Sequence, residues 1–276
     1  MVDGSVKLQT RAGKLYSNHC IYAPSGALLF RCSDKKLQWY IDRNLAIETT
    51  SAPLDASRSA TLTFEPKGPG RAREGDEWYL ATQQDRCVVC GSTAGLILLH
   101  IVPAQYRNAL PLRYKSHSNH DILPFCTACT VRYEGHVLAM RRMLEKRYNA
   151  PLHGRGIQKV QDATRVKSAA AALLRGFALI PEVRRQALRE IVARYFDVAA
   201  EEVTVMQLEE AKACPLVIKT AEFIDHGTLV VQGVLYESGD AGAAEFVREW
   251  RRLFLETMRP RYLLEMWRVE DPVMNA

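Results

Sequence analysis

A membrane span is the first thing missing from these 276 residues. The longest apolar runs, such as Ala169 to Leu174 and Leu229 to Leu235, are far shorter than the roughly 20 residues that cross a bilayer as a helix. Residues Met1 to Lys14 lack the apolar core of a secretion signal, and Lys7, Arg11 and Lys14 beside Asp3 make a poor organelle presequence. Internal repeats and low-complexity tracts are absent as well. Cysteine is scarce, with seven residues placed too unevenly for the disulfide scaffold of a secreted domain. Four of them form two CxxC pairs, which suits a reducing compartment and a metal ion. The others, Cys20, Cys32 and Cys214, stand in apolar or strand-like surroundings and read as buried structural thiols.

What is present is the composition of an ordinary globular protein, 47% hydrophobic and 25% charged, with a length that suits one large domain or two small ones. The net charge of +6 is unevenly spread. Between Arg86 and Ala150 nine basic residues (Arg86, Arg107, Arg113, Lys115, Arg132, Arg141, Arg142, Lys146, Arg147) face Asp121, Glu134 and Glu145, an excess of six that equals the charge of the whole chain. Such a patch suggests a polyanionic partner, most simply nucleic acid, although a solvated basic face is the plain alternative.

Along the chain, residues 13 to 32 read as two short strands joined by the Pro24-Ser25-Gly26 turn. Ser33 and Asp34 offer N-cap oxygens to a helix over Lys35 to Asn44. Ala60 to Phe64 alternates like a strand, Glu65 to Asp76 is a loop, and Glu77 to Gln83 is expected as another strand. Beyond Pro151 helical patterns run over about 164–179, 181–197, 200–213 and 241–258, with the β-branched segment Gly227 to Tyr236 interrupting them. The stripe Phe246, Trp250, Leu253, Phe254 and Met258 reads as core.

Two CxxC pairs 35 residues apart, Cys87/Cys90 and Cys126/Cys129, can offer four thiolates to one structural Zn²⁺, each pair turning tightly so that both sulfurs aim at the ion. Gly91 directly after the first pair suits a turn that needs positive φ. A redox dithiol is the competing reading, but it would need one pair only.

Between the pairs, LILLHIVPAQYRNALPLRYKSHSNHDILPFC resembles the HNH nuclease finger, the ββα-metal fold. The resemblance implies that His100, before Ile101-Val102-Pro103, holds the place of the general base. Leu99 stands at the first metal ligand and Thr130 at the histidine after the second pair, so both expected catalytic ligands are missing. Asp121 falls where the motif's asparagine orients the base. His117, His120, Asp121 and Glu134 are the residues available for a rearranged site, and a core histidine is the alternative for His100. Without a divalent ion on the leaving oxygen, the histidine alone is a weak catalyst.

The runs GKLYSNHCIYAPSGALLFRCSDKKLQWYI, CVVCGSTAGLILLHIVPAQYRNALPLRYKSHSNHDILPFCTAC and EWRRLFLETMRPRYLLEMW are similar to the C-terminal half of the animal exonuclease 3′-5′ domain-containing protein two family. In that family a DEDD-type exonuclease domain precedes this region; here it is expected to be absent, and the resemblance implies a link to mitochondria. The fold expected is α+β: an N-terminal hairpin and helix region over 11–80, a zinc-bound HNH-like finger over 81–150 and a mainly helical region over 151–276. The function expected is a non-catalytic zinc protein that binds nucleic acid, with RNA favoured, through Arg107, Arg113, Lys115, Arg132, Arg141, Arg142, Lys146 and Arg147. Protein partners in a larger nucleoprotein assembly, such as an organellar ribosome, complete that expectation. A metal-dependent HNH endonuclease with a rearranged metal site and a protein-interaction scaffold are the alternatives.

Overall fold

Alternating apolar residues around a Pro-Ser-Gly turn dictate a hairpin, and the computed structural model, which describes residues 13–49, 58–68, 77–114 and 119–273, contains it. Strand β1 (His19–Tyr22) pairs antiparallel with β2 (Leu28–Cys32), and Gly26 turns between them at a φ of 86°. Helix α1 (Asp34–Asp42) follows, with the Ser33 hydroxyl accepting from the Lys36 N–H at 3.4 Å. Strands β3 (Ala46–Thr49) and β4 (Ser59–Leu62) complete a four-stranded sheet in the order β2-β1-β4-β3, with β4 parallel to β1. Leu37 of α1 drops its side chain onto Ile21, Leu29, Ala60 and Leu62, so the sheet has a core of its own. Residues 69–76 of the expected loop lie outside the described residues.

The strand expected over Glu77 to Gln83 is instead one turn of helix, α2 (Glu77–Leu80). Aromatic Trp78 favours a strand locally, yet only a helical turn brings its indole into the core, and burial outweighs propensity. The finger comes next. Strand β5 (Leu96–His100) leads through the short helix α3 (Ala104–Ala109) to β6 (Ile122–Cys126), with which it pairs antiparallel from Leu96↔Cys126 to His100↔Ile122. The long helix α4 (Thr127–Arg147) starts directly from Cys126.

The region beyond Pro151 does not stay together as the expected 151–276 block. Pro151 to His226 form a compact unit of their own, while the residues from Gly227 onward belong to the unit that holds the sheet and the finger. The separate unit contains β7 (Arg155–Lys159), α5 (Ala163–Gly176), α6 (Glu182–Phe196), α7 (Val205–Ala213) and β8 (Val217–Ile224). Its helices match the periodic pattern and pack Val166, Ala170, Leu173, Val192 and Ala211 together. The β7/β8 pair was not expected. Gly156 makes it possible, because a Cβ there would lie 2.8 Å from the backbone of Glu222.

The last helix, α8 (His226–Met258), runs through the segment expected to interrupt the helices, with a break in helical geometry at Gly239 (φ 54°, ψ −143°). Val230, Val231 and Val234 are buried there, and that burial exceeds the few tenths of a kcal/mol by which a β-branched residue resists a helix. Phe246, Trp250, Phe254 and Met258 form the expected core stripe. Trp250 sits 5.4 Å from Tyr106, and Phe254 lies 5.7 Å from Phe125 and 6.1 Å from Tyr133.

Candidate metal centre and the finger around it

A two-stranded sheet is marginal in water, so β5 and β6 need something more than each other. The four cysteines stand where that support is needed. Cys126 closes β6, Cys129 is in the first turn of α4, and Cys87 and Cys90 sit on a loop laid against the strand by the Val88 N–H, which donates to the Pro124 carbonyl at 2.9 Å. All four Sγ atoms lie within 4.8 Å of one another, and those of Cys90 and Cys126 are 3.7 Å apart. Four thiolates bound tetrahedrally at ~2.3 Å from one ion stand about 3.8 Å apart, so the spacing and donor set fit a metal ion. Among the described residues this is the one group of three or more histidines, cysteines and carboxylates close enough to share an ion. Burial pushes the thiols of Cys87 and Cys129 up, while the Ser92 backbone N–H pulls that of Cys90 down.

The turn after the first pair closes through the Gly91 N–H, which donates to the Cys87 carbonyl at 2.8 Å. Gly91 has a φ of 80°, and a Cβ there would come within 2.6 Å of the Tyr262 ring. Glycine is therefore required twice, by the turn and by its neighbour. The chain after α8 covers the same turn. Tyr262 donates its N–H to Val88 at 2.9 Å, and the Arg86 guanidinium lies 4.5 Å from the Tyr262 ring centre.

At the nuclease-like positions, Leu99 stands opposite Leu123 in the ladder and packs against the core, and Thr130 is buried with its hydroxyl donating to the Cys126 carbonyl at 3.0 Å. His100 is half-buried at the end of β5, opposite Ile122. Asp121 has other work than orienting it. Its two carboxylate oxygens accept from Nε and Nη2 of the fully buried Arg251 at 2.8 and 3.0 Å, and His120 Nδ1 lies 3.4 Å away. His120 Nε2 is 2.8 Å from Asp271, its ring stacks on Trp267 at 4.8 Å, and Arg251 also donates to the carbonyls of Val269 and Asp271. His120 and Asp121 are thus committed to this buried network, Glu134 is exposed on α4, and His117 lies outside the described residues. Nothing in the sequence pointed to Arg251, which lies 130 residues from Asp121.

The basic residues divide into two groups. Arg142 and Lys146, one helical turn apart on α4, are exposed with no ion-pair partner among the described residues. Arg132 is exposed too and donates to the Met258 carbonyl at 3.3 Å. Arg147 faces Glu237 and Glu249 at 3.5 and 3.6 Å, and Arg113 pairs with Asp240. Arg107 is half-buried, donates to the Val102 carbonyl, and has its pKa lowered by desolvation; Arg141 is half-buried as well. Lys115 lies outside the described residues. Arg142 and Lys146 are therefore the cations of this set most open to a ligand.

Comparison with curated proteins gives matches along almost the whole chain. The human exonuclease 3′-5′ domain-containing protein 2 is 31% identical over 271 residues, covering 96% of this chain and 42% of its own length. The Drosophila melanogaster protein of the same name is 32% identical, covering 95% and 44%. These homologues are exonuclease-domain proteins by name. Protein RRP6-like 3 of Arabidopsis thaliana matches at 23% identity over 92% of the chain and 40% of its own length. The chain thus spans about two fifths of the curated relatives it matches. No protein-family model and no solved structure matches it. The likeness to exonuclease 3′-5′ domain-containing protein 2 overturns one expectation: a structural, non-catalytic component of an organellar ribosome is not what homologues named for an exonuclease indicate. The missing finger ligands and basic charge led to that expectation, and neither can report chemistry carried out by another part of a protein. Among the described residues no helix is long and apolar enough to cross a membrane.

Proposed function

We propose that this protein works as a nuclease of the exonuclease 3′-5′ domain-containing protein 2 kind, and that the finger described above is an HNH-type ββα unit that holds the nucleic acid strand. The observation that carries the reading is the alignment with exonuclease-named relatives across 96% of the chain. The geometry supports it with an exposed basic helix rooted on a cysteine-bound base. Zn²⁺ is the ion we assign to Cys87, Cys90, Cys126 and Cys129, because four soft thiolates fill a tetrahedral shell completely and leave no open position for a reacting water. Its contribution is to fix β6 and α4 to the first cysteine turn. Arg142 and Lys146 then meet phosphates, displacing counterions without reading sequence.

The test uses the full chain with 5′-labelled single-stranded RNA and DNA in Mg²⁺ or Mn²⁺. Progressive shortening from the 3′ end is expected, and its complete absence on both strands in both metals would remove the nuclease reading. Arg142→Ala with Lys146→Ala should raise KM and reduce the salt slope of binding by about 2. An unchanged slope would take the strand off α4.

A further inference from the structure

A cavity of about 330 Å³ lies beside the N-terminal sheet, at the lower end of the range of small-molecule sites. Its wall carries Arg31 and Lys36 and no carboxylate. The carboxylates near its lining residues are already engaged: Asp85 accepts from the backbone N–H groups of Leu15 and Tyr16 at 3.2 and 3.0 Å, and Asp34 is held by Arg58 at 2.8 Å. The wall is braced as well. Asn18 donates to the Gln83 carbonyl at 2.8 Å and accepts from its N–H at 3.0 Å, while Arg31 Nε donates to the Leu80 carbonyl at 2.6 Å. Trp78 is part of the same wall and only 2% exposed.

We propose that this cavity binds a phosphate monoester of nucleotide size, with Lys36 and Arg31 facing its charge, and Leu15 and Leu98 covering the sugar or base. Two cations suit a dianion, the volume suits one nucleotide, and the apolar side chains suit its uncharged portion. The choice of a nucleotide rests on the nuclease reading, since a 3′-to-5′ degradation releases nucleoside monophosphates. A free monophosphate and the phosphorylated end of a strand share this chemistry.

Adenosine 5′-monophosphate, adenosine, inorganic phosphate and a 5′-phosphorylated trinucleotide are titrated into the full chain while the indole N–H resonance of Trp78, assigned by its loss in Trp78→Phe, is followed by NMR. Adenosine 5′-monophosphate should shift that resonance saturably, with adenosine and inorganic phosphate each about tenfold weaker or worse. Lys36→Ala, an exposed change that leaves Leu37 in the core, should weaken it by about tenfold. Calorimetry on Lys36→Ala should show the same weakening. Equal affinity for adenosine 5′-monophosphate and the trinucleotide assigns the strand end; preference for the former assigns the free product. No shift at about 10 mM, equal binding of inorganic phosphate, or undiminished affinity in Lys36→Ala would overturn the proposal. Failure here with strand shortening intact removes only the pocket, whereas binding without shortening leaves the pocket and removes the nuclease.

Discussion

Around the finger, Tyr106, Phe125, Tyr133, Trp250 and Phe254 meet ring to ring, a buried arginine holds a buried aspartate, and four cysteines close the base. The unit of residues 151–226 shows one ring pair, Tyr195 with Phe196 at 5.1 Å, and neither a buried arginine–aspartate pair nor a cysteine cluster among its described residues. It packs Ala169, Ala170, Ala193 and Ala211 with a few branched side chains, and α7 starts from a side-chain cap. Each aromatic ring buries ~150–250 Å², against a small fraction of that for an alanine. The finger therefore concentrates its stability in a few large interactions made between residues far apart in sequence. The smaller unit spreads it thinly over many small contacts. Loss of one part should be abrupt in the first case and graded in the second.

The strongest way to break this contrast is to remove the ion-binding set. Zinc affinity in such sites is coupled to folding, because the ordered thiolates exist only in the folded finger. Cys126→Ser, or a strong chelator, should abolish amide-exchange protection in β5, β6 and the first half of α4 while α5, α6 and α7 keep theirs. Elemental analysis should find about one zinc per chain before chelation. A metal-free chain with full protection in β5 and β6 would mean that the aromatic core alone sustains the finger.

The same contrast decides what the sequence could reveal. Short-range rules identified the hairpin, the Ser33 cap, the helices of the second unit and the paired cysteines, since each depends on residues close together in the chain. The finger's strand–strand–helix order was implied by the resemblance of the His100 region to the HNH finger, and not by the spacing of the cysteines alone. Arg251 was invisible, because an arginine in an amphipathic helix reads as a surface residue unless Asp121 is known to face it. Trp78 and the valines of α8 misled for a related reason: propensity spoke for a strand, and distant packing decided for a helix. Likewise, the count of positive charges in the finger was legible, but not that Arg147 and Arg113 already have acidic partners.

A second, smaller test addresses that buried pair. Burial pushes the Asp121 carboxyl up, but hydrogen bonds from His120 and Arg251, together with their charge, outweigh it and hold the group at about 2. Its folded pKa lies below the unfolded one, so the stability it contributes is complete above about pH 4 and is lost as pH falls through about 2. Asp121→Asn should remove this acid-sensitive component. It should also cost about 3–5 kcal/mol at neutral pH, because Arg251 remains buried without its counter-charge. Urea titrations at a series of pH values measure both effects. A variant as stable as the parent at neutral pH would place the finger's stability in its rings and its metal instead.

The smallest effect is expected in the second unit, at the start of α7. The Thr204 hydroxyl accepts from the Gln207 N–H at 3.2 Å, and the Gln207 side chain accepts from the Thr204 N–H at 2.8 Å, so two helix-end donors are satisfied reciprocally. Thr204→Ala removes one of these bonds and leaves the N–H to water, because the position is exposed. Such a loss costs about 1 kcal/mol, far less than an unpaired buried charge. Thr204→Ser keeps the hydroxyl and should recover most of the difference. The measurement is amide exchange of α7 alone, since a global melt would be dominated by the larger unit. If Thr204→Ala instead removed protection from α5 and α6 together with α7, the unit would unfold as one cooperative block despite its small core. Stability in it would then not be graded, and the contrast with the finger would narrow to the size of the loss rather than its form.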